Sequence, residues 1–295
     1  MNTDNARGVR YMVLAMTFFV VNDSLVKIAS QSLSSGVLIF VRGLIATALV
    51  LLAMRWTGTP LHSRHLFSRP VLLRAAVDAL ATFAYLLSVF QLPLANATAI
   101  NMAAPLVVSL LAWLWLGEKV VRAQWLAIVA GFAGVLMVIQ PRAEGFNAFA
   151  WVCLLGTVLH AVRDILVRRI DAAVPSLVVT LATAAFVTVM AGVLSLLQGW
   201  QSPTPPQLLT LAAAATFLAA GYHCMIMSTR LGELSAVAPF RYSGLLVALV
   251  LGWAVWDEVP NTLAWLGIAA VVSAGLVLLR RQRLPASAAA SPPSD

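Results

Sequence analysis

Charged and hydrogen-bonding side chains stand inside long apolar runs of this sequence. There an ionisable group costs ~2.5 to 3.5 kcal/mol at a helix centre and therefore requires a partner, a water-filled cavity or a function. Counted at ~1.5 Å per residue from the ends of the apolar runs, they fall at two depths. Asp23, Lys27, Arg42 and Asn101 fall in one outer third, and Asp78, His160, Arg163, Asp164, His223 and Arg241 in the opposite third. The planar forks of Arg42 and Arg241 suit a carboxylate or another oxyanion, which a lysine would hold only as a point charge. Asp23 and Asp164 suit an ammonium, so a zwitterion fits both kinds of group. This is the chemistry of capture and release. The sequence contains no HExxH, no GxSxG, no paired-aspartate protease signature and no GxxxxGK[ST] phosphate loop. No enzyme, no cofactor, no metal site and no ATP-driven step is expected, and energy must come from gradients.

Spacing gives these residues local neighbours. Asp23 with Lys27, His160 with Asp164, and Arg74 with Asp78 are four apart, one above the other on a helix face and able to neutralise each other. Arg74 with Asp78 reads equally as a pair that eases insertion, since Arg near an interface snorkels. Asp23 and Arg42 lie deeper and suit a gate or a substrate contact. Arg241 has no opposite charge within reach on its own helix, so it needs a ligand, a gate or a partner elsewhere. Tyr85, Tyr222 and Tyr242 read either as substrate-stacking rings or as amphipathic core residues. His160 and His223 are the candidates for proton coupling, because imidazole titrates near neutral pH; hydrogen-bonded packing is the alternative. Pro105 follows Asn101 by four and Pro239 precedes Arg241 by two, so backbone bonds are lost beside polar residues, which points to a binding site. Cys153 and Cys224 read as small apolar packing residues.

The elements that must hold these groups are membrane-spanning helices. Of the 295 residues 61% are hydrophobic and only 10% charged, with mean hydropathy +0.91. Such a chain cannot clothe a water-facing surface, whereas about twenty apolar residues cross a bilayer. Ten apolar segments follow one another, from Val9 to Ala29 through Leu263 to Leu279, most punctuated by prolines such as Pro60, Pro93, Pro141 and Pro260. With the N-terminus cytoplasmic, nearly all arginines fall on the inner side, and the outer loops keep Lys27 and Arg142. That asymmetry is the positive-inside pattern. It predicts a multi-pass protein of the cell's inner membrane with both termini in the cytoplasm. The net charge of +8 reads as topology and contact with anionic lipid, and no nucleic-acid partner is expected. Trp56, Trp151, Trp200 and Trp256 sit at span ends as interfacial anchors.

The chain also repeats itself. Trp113, Glu118, Trp125, Leu126, Ile128 and Ala130 recur 140 residues later as Trp253, Glu258, Trp265, Leu266, Ile268 and Ala270. Shifted by one residue, Asp23 to Lys27 matches Asp164 to Arg168, so Asp23 is the mate of Asp164 and Asn101 the mate of Arg241. The fold expected is therefore all-α and polytopic: ten transmembrane helices as two five-helix repeats, 1–140 and 141–280, with a disordered cytoplasmic tail over 281–295. Five is odd, so the second repeat is inverted, placing Glu118 at the inner face and Glu258 at the outer. Inverted repeats are the recurrent architecture of secondary transporters. Small residues four apart, Ala127 with Gly131, Ala130 with Gly134 and Ala270 with Ala274, allow close helix approach. They serve either packing within the chain or a homodimer seam through the fifth and tenth helices.

Leu92-Pro93-Leu94-Ala95-Asn96-Ala97, Ala104-Pro105-Leu106 and Leu116-Gly117-Glu118, with Ala238-Pro239-Phe240 through Asp257-Glu258 in the second copy, resemble the ten-helix EamA branch of the drug/metabolite transporter superfamily. Asp23-x-x-Val26-Lys27, Arg42, Arg74 and Pro239-Phe240-x-Tyr242 are similar to its subgroup of S-adenosylmethionine and riboflavin uptake proteins, with Arg241 in a variable place. The resemblance implies a central cavity lined by helices 1, 3, 4, 6, 8 and 9. The function expected is secondary active transport of a small polar, amino-acid-like metabolite by alternating access. Candidate substrate-binding residues are Asp23, Arg42, Tyr85, Asn101, Asp164, Arg241 and Tyr242, with His160 and His223 for proton coupling. Import of S-adenosylmethionine or riboflavin is the narrower alternative. A non-transporting scaffold or sensor is the alternative of another class, and it leaves the inverted duplication without a purpose.

Overall fold

The computed structural model describes residues 3–117, 121–140, 147–171, 173–232 and 237–281. Helices α1 (Thr3–Ala29), α2 (Ser35–Trp56) and α3 (Arg69–Gln91) are followed by α4, which is broken into Leu94–Asn101 and Ala104–Leu116. Then come α5 (Arg122–Ile139) and α6 (Phe149–Leu166), the latter extended by a 3-10 turn at Val167–Arg169. Helices α7 (Ser176–Gln198) and α8 (Pro205–Leu231) precede a second 3-10 turn, Ala238–Tyr242, which leads into α9 (Ser243–Trp256) and α10 (Thr262–Arg281). Nine of these segments have the length and apolarity to cross a membrane, and the apolar stretch of α10, Thr262–Leu278, is shorter. No strand occurs among the described residues. The protein is an all-helical, polytopic membrane protein.

Prolines begin helices where the missing N–H costs nothing: Pro70 opens α3, Pro105 the second piece of α4, Pro205 and Pro206 α8, and Pro239 the second 3-10 turn. Two helix ends show the duplication in the backbone. Gly117, after α4, and Asp257, after α9, both take the left-handed conformation, at φ 65° and 54°, and they stand at the same place in the two repeats. A left-handed residue closes a helix and turns the chain back over its last turn. Glycine does this freely; Asp257 is one of two described non-glycine residues with positive φ.

Packing obeys the same symmetry. The mates are α1 with α6, α2 with α7, α3 with α8, α4 with α9, and α5 with α10. The extensive α1–α8 interface has its counterpart in α3–α6, while α2–α7, α4–α9 and α5–α10 each join a helix to its own mate. These interfaces all run between the repeats, so neither half is an independent bundle. Helices α5 and α10 approach backbone to backbone: a Cβ added to Gly134 would lie 2.7 Å from the Gly267 carbonyl oxygen, and one added to Gly267 2.5 Å from that of Gly134. The small-residue stripes are thus occupied within the chain, as a Cβ on Gly131 would meet Ala274 at 3.1 Å. What α5 and α10 turn outward is Leu126, Val129, Trp265 and Leu266, an exposed apolar surface. Two main apolar cores, one chiefly among α4, α5, α9 and α10 and the other among α1, α2, α3, α7 and α8, leave the polar residues between helices as a separate set.

Candidate functional site

At the end of the molecule where α1 and α9 finish, the two halves are tied together by one buried ion pair. Lys27 Nζ lies 2.5 Å from Glu258 Oε1, donates to the Leu92 carbonyl at 2.7 Å, and sits 4.8 Å from the centre of the Trp256 ring. Glu258 accepts the Leu94 backbone N–H at 2.8 Å through its other oxygen. The left-handed Asp257 is what aims Glu258 back toward α1. Lys27 is only 6% exposed, so both charges depend on these contacts. The i,i+4 spacing pairs Lys27 with Asp23, but the structure gives it Glu258. Trp256, expected as a lipid anchor, is also a cation-binding face for Lys27.

One helical turn deeper, Asp23 accepts the Tyr85 hydroxyl at 2.8 Å and the Asn22 amide at 2.9 Å. Arg42 of α2 points to the same region, with Asp23 and Tyr222 of α8 as its electrostatic neighbours. Asp23 and Arg42 nevertheless form no ion pair, and Arg42 makes no hydrogen bond among the described residues. Its Nε is buried without a partner, and the residue is 8% exposed. Asn101 ends the first piece of α4, where Pro105 interrupts the helix, and its Oδ1 meets His160 Nδ1 at 3.1 Å. The Tyr85 ring lies 6.2 Å from that of His160. Asp23, Tyr85, Asn101 and His160 are thereby connected through α1, α3, α4 and α6.

The third layer is a charge network. Asp78 receives Arg163 at 2.8 Å, Arg74 at 3.4 Å and the Thr183 hydroxyl at 3.2 Å, while Arg163 also holds Asp164 at 2.9 Å. Arg74 with Asp78 is the i,i+4 pair read from sequence. His160 with Asp164 is not formed, because the adjacent Arg163 takes the carboxylate and Asn101 takes the imidazole. Arg241 has Asp164, Arg163 and Tyr242 as electrostatic neighbours, yet it forms no ion pair among the described residues and is exposed. Tyr222 faces Asp78, Arg163, Arg74 and Arg42, linking the central and lower layers.

Two candidates fall elsewhere. Tyr242 is 9% exposed with its hydroxyl unpartnered, and it lies so tightly against Gly275 of α10 that a Cβ there would overlap the phenol oxygen. It is a packing residue of the α9–α10 junction. His223 is exposed on α8, with no hydrogen bond or ion pair to the groups above among the described residues. The residues not anticipated as partners are Glu258, Asn22 and Thr183. Only Glu258 carried a signal, its fixed place in both repeats. Its mate Glu118 lies outside the described residues.

Broken helices that present polar groups at a repeat interface are where secondary transporters place their solute. The sequence matches the EamA-like transporter family over residues 6–140 and 148–280. The chain belongs to that family. Among its relatives, the pseudopaline exporter CntI of Pseudomonas aeruginosa is 30% identical, over 94% of this chain and 97% of the relative. A riboflavin transporter of Rhizobium johnstonii is 27% identical over 73% of this chain and 72% of its own length. An S-adenosylmethionine uptake transporter of Rickettsia prowazekii is 24% identical over 86% and 96%. One crystal structure superimposes with a TM-score of 0.62 at 16% identity, covering 93% of this chain and 99% of the other, and shares the fold. This EamA-family protein is accordingly a small-metabolite transporter embedded in a membrane.

Proposed function

We propose that the protein moves an amino-acid-like, zwitterionic or anionic metabolite across the inner membrane by alternating access. Residues 1–140 and 141–280 act as the two exchanging halves. The observation that carries the substrate class is Arg42, a guanidinium buried in a span with no anionic partner in contact. A buried cation left unpaired is costly, and a substrate carboxylate supplies what is missing. Asp23, with only neutral hydrogen-bond donors on it, receives the substrate's ammonium. Tyr85 fixes the orientation of that carboxylate, and the Asn101–His160 pair forms the floor. His160, inside this constellation, is the residue we assign to proton coupling. The role fits His223 poorly, because it is exposed and no hydrogen bond or ion pair ties it to the same groups among the described residues.

The Lys27–Glu258 pair closes the outer mouth in this conformation. At the other end Arg241 and Asp164 are not paired with each other, as expected of a state open toward the cytoplasm. The crowding of arginines on that side supports cytoplasmic termini. S-Adenosylmethionine carries an amino-acid head and fits the central site by that part; flavin has no ammonium to offer Asp23. Transport rather than catalysis is the reading, since the relatives are named transporters.

A thermal-unfolding screen of the purified protein against amino acids, S-adenosylmethionine and riboflavin tests the substrate class. A ligand at a hundred times its Kd stabilises the folded state by about 2.7 kcal/mol, so a zwitterion should raise the midpoint and then drive counterflow in proteoliposomes. Stabilisation by riboflavin alone would contradict the proposal.

A further inference from the structure

Among the described residues, the intramembrane charges do not cancel. Lys27 is neutralised by Glu258, and Arg74, Asp78, Arg163 and Asp164 form a closed chain of ion pairs. Asp23, Arg42 and Arg241 are left over. Arg42 and Arg241 both lack an anion in contact, and Asp164, the carboxylate nearest Arg241, is already held by Arg163 at 2.9 Å. One surplus carboxylate, Asp23, with Arg42 as its neighbour, thus stands against two surplus guanidinium groups in the count.

The two arginines also lie at different depths. Arg42 is seven residues into α2 from Ser35, and Arg241 is fifteen residues before the end of α9 at Trp256. The Lys27–Glu258 contact puts those two helix ends at the same face of the molecule. At ~1.5 Å per residue the two α-carbons differ by roughly 12 Å along the helix axis, a depth that two extended arginine side chains and a short ligand together can cover. Tyr222 is within the fields of Arg42, Arg74 and Arg163, and Arg163 is in turn a neighbour of Arg241. In the first repeat the place of Arg241 is held by neutral Asn101, so the second cation is not a product of the symmetry.

We infer that the transported metabolite is an amino dicarboxylate: one carboxylate on Arg42, the protonated nitrogen on Asp23, and a second carboxylate on Arg241. This rests on the zwitterion reading above and narrows it. Such a ligand brings two negative charges and one positive charge to a site left with the reverse, so the loaded site is neutral. A monocarboxylate amino acid leaves Arg241 unpaired.

2-Aminoadipate and norleucine share a six-carbon amino-acid skeleton and differ in the second carboxylate. Each is titrated against the purified wild-type protein, Arg241→Gln and Arg241→Lys, reading the unfolding midpoint by intrinsic fluorescence. In the wild type, 2-aminoadipate should act at a concentration at least about tenfold lower than norleucine, the worth of one charged hydrogen-bonded contact. Arg241→Gln should erase that preference, so that both ligands act on the variant at the same concentration. Arg241→Lys, retaining the charge without the fork, should keep part of it. Equal response of the wild type to both ligands overturns the inference and leaves the zwitterion reading standing, as does Arg241→Gln weakening both ligands alike. No response to either ligand, in a wild-type protein that unfolds cooperatively, overturns both.

Discussion

Arg42→Gln is expected to produce two effects of opposite sign: a more stable empty protein and one that no longer responds to substrate. The empty site holds a guanidinium that is 8% exposed, with its Nε unpartnered. Insertion scales put the cost of such a cation at ~2.5 to 3.5 kcal/mol near a helix centre. Gln removes the charge and retains a hydrogen-bonding group that can turn toward Asp23 or Tyr222. Thermal unfolding without ligand should therefore shift upward by several degrees, while the ligand-induced shift falls to the noise and counterflow stops. This exchange of stability for function is what a binding residue gives and a structural one does not. A lowered midpoint without ligand would mean that Arg42 is satisfied by the fold, and would remove the principal support for an anionic substrate.

Lys27→Met is the second large effect. Breaking a buried pair by removing one partner costs about 3 to 5 kcal/mol, and here the cost falls only on the conformation in which α1 and α9 meet. A bias of 3 kcal/mol changes a two-state ratio more than a hundredfold, so the outer mouth should stand open. A cysteine at Asn96, which lines the cleft beside Glu258, should then react with a membrane-impermeant thiol reagent added from outside, in a background where Cys153 and Cys224 are alanine. Glu258→Gln should be milder, because its amide oxygen still accepts the Leu94 N–H. The exchange Lys27→Glu with Glu258→Lys restores the ion pair but not the bonds to Leu92 and Leu94, so it should recover only part of transport. Unchanged labelling in Lys27→Met would show that this pair does not hold the mouth shut.

How far the sequence reaches is seen in these same residues. The spans, their inversion and the break at Asn101 follow from composition, an odd helix count and a proline, and these are properties of single segments. Arg74 with Asp78 was legible because both sit on one helix. Lys27 with Glu258 was not, since the partners are 231 residues apart and i,i+4 spacing offered the nearer Asp23. The recurrence of Glu258 at the place of Glu118 marked it as special without naming its partner. Asp164 shows competition: an adjacent arginine outbids a histidine one turn away. Tyr242 lies in the 3-10 turn Ala238–Tyr242, with three residues per turn in place of 3.6, so the sequence alone left its substrate-contact and packing readings open. Gly275, which admits the ring, carries meaning only once α10 is seen beside it.

The central claim is that two inverted halves exchange conformations around the site between Arg42, Asp23 and Asn101. Spin-label distances at both mouths of one reconstituted protein test it most directly, with one pair at Gln31 and Val259, beside the Lys27–Glu258 contact, and the other at Asp4 and Arg169. Addition of a transported substrate should lengthen the first distance and shorten the second within the same population, and Lys27→Met should do so without substrate. Movement of both mouths in the same sense, or of one mouth alone, would contradict the account.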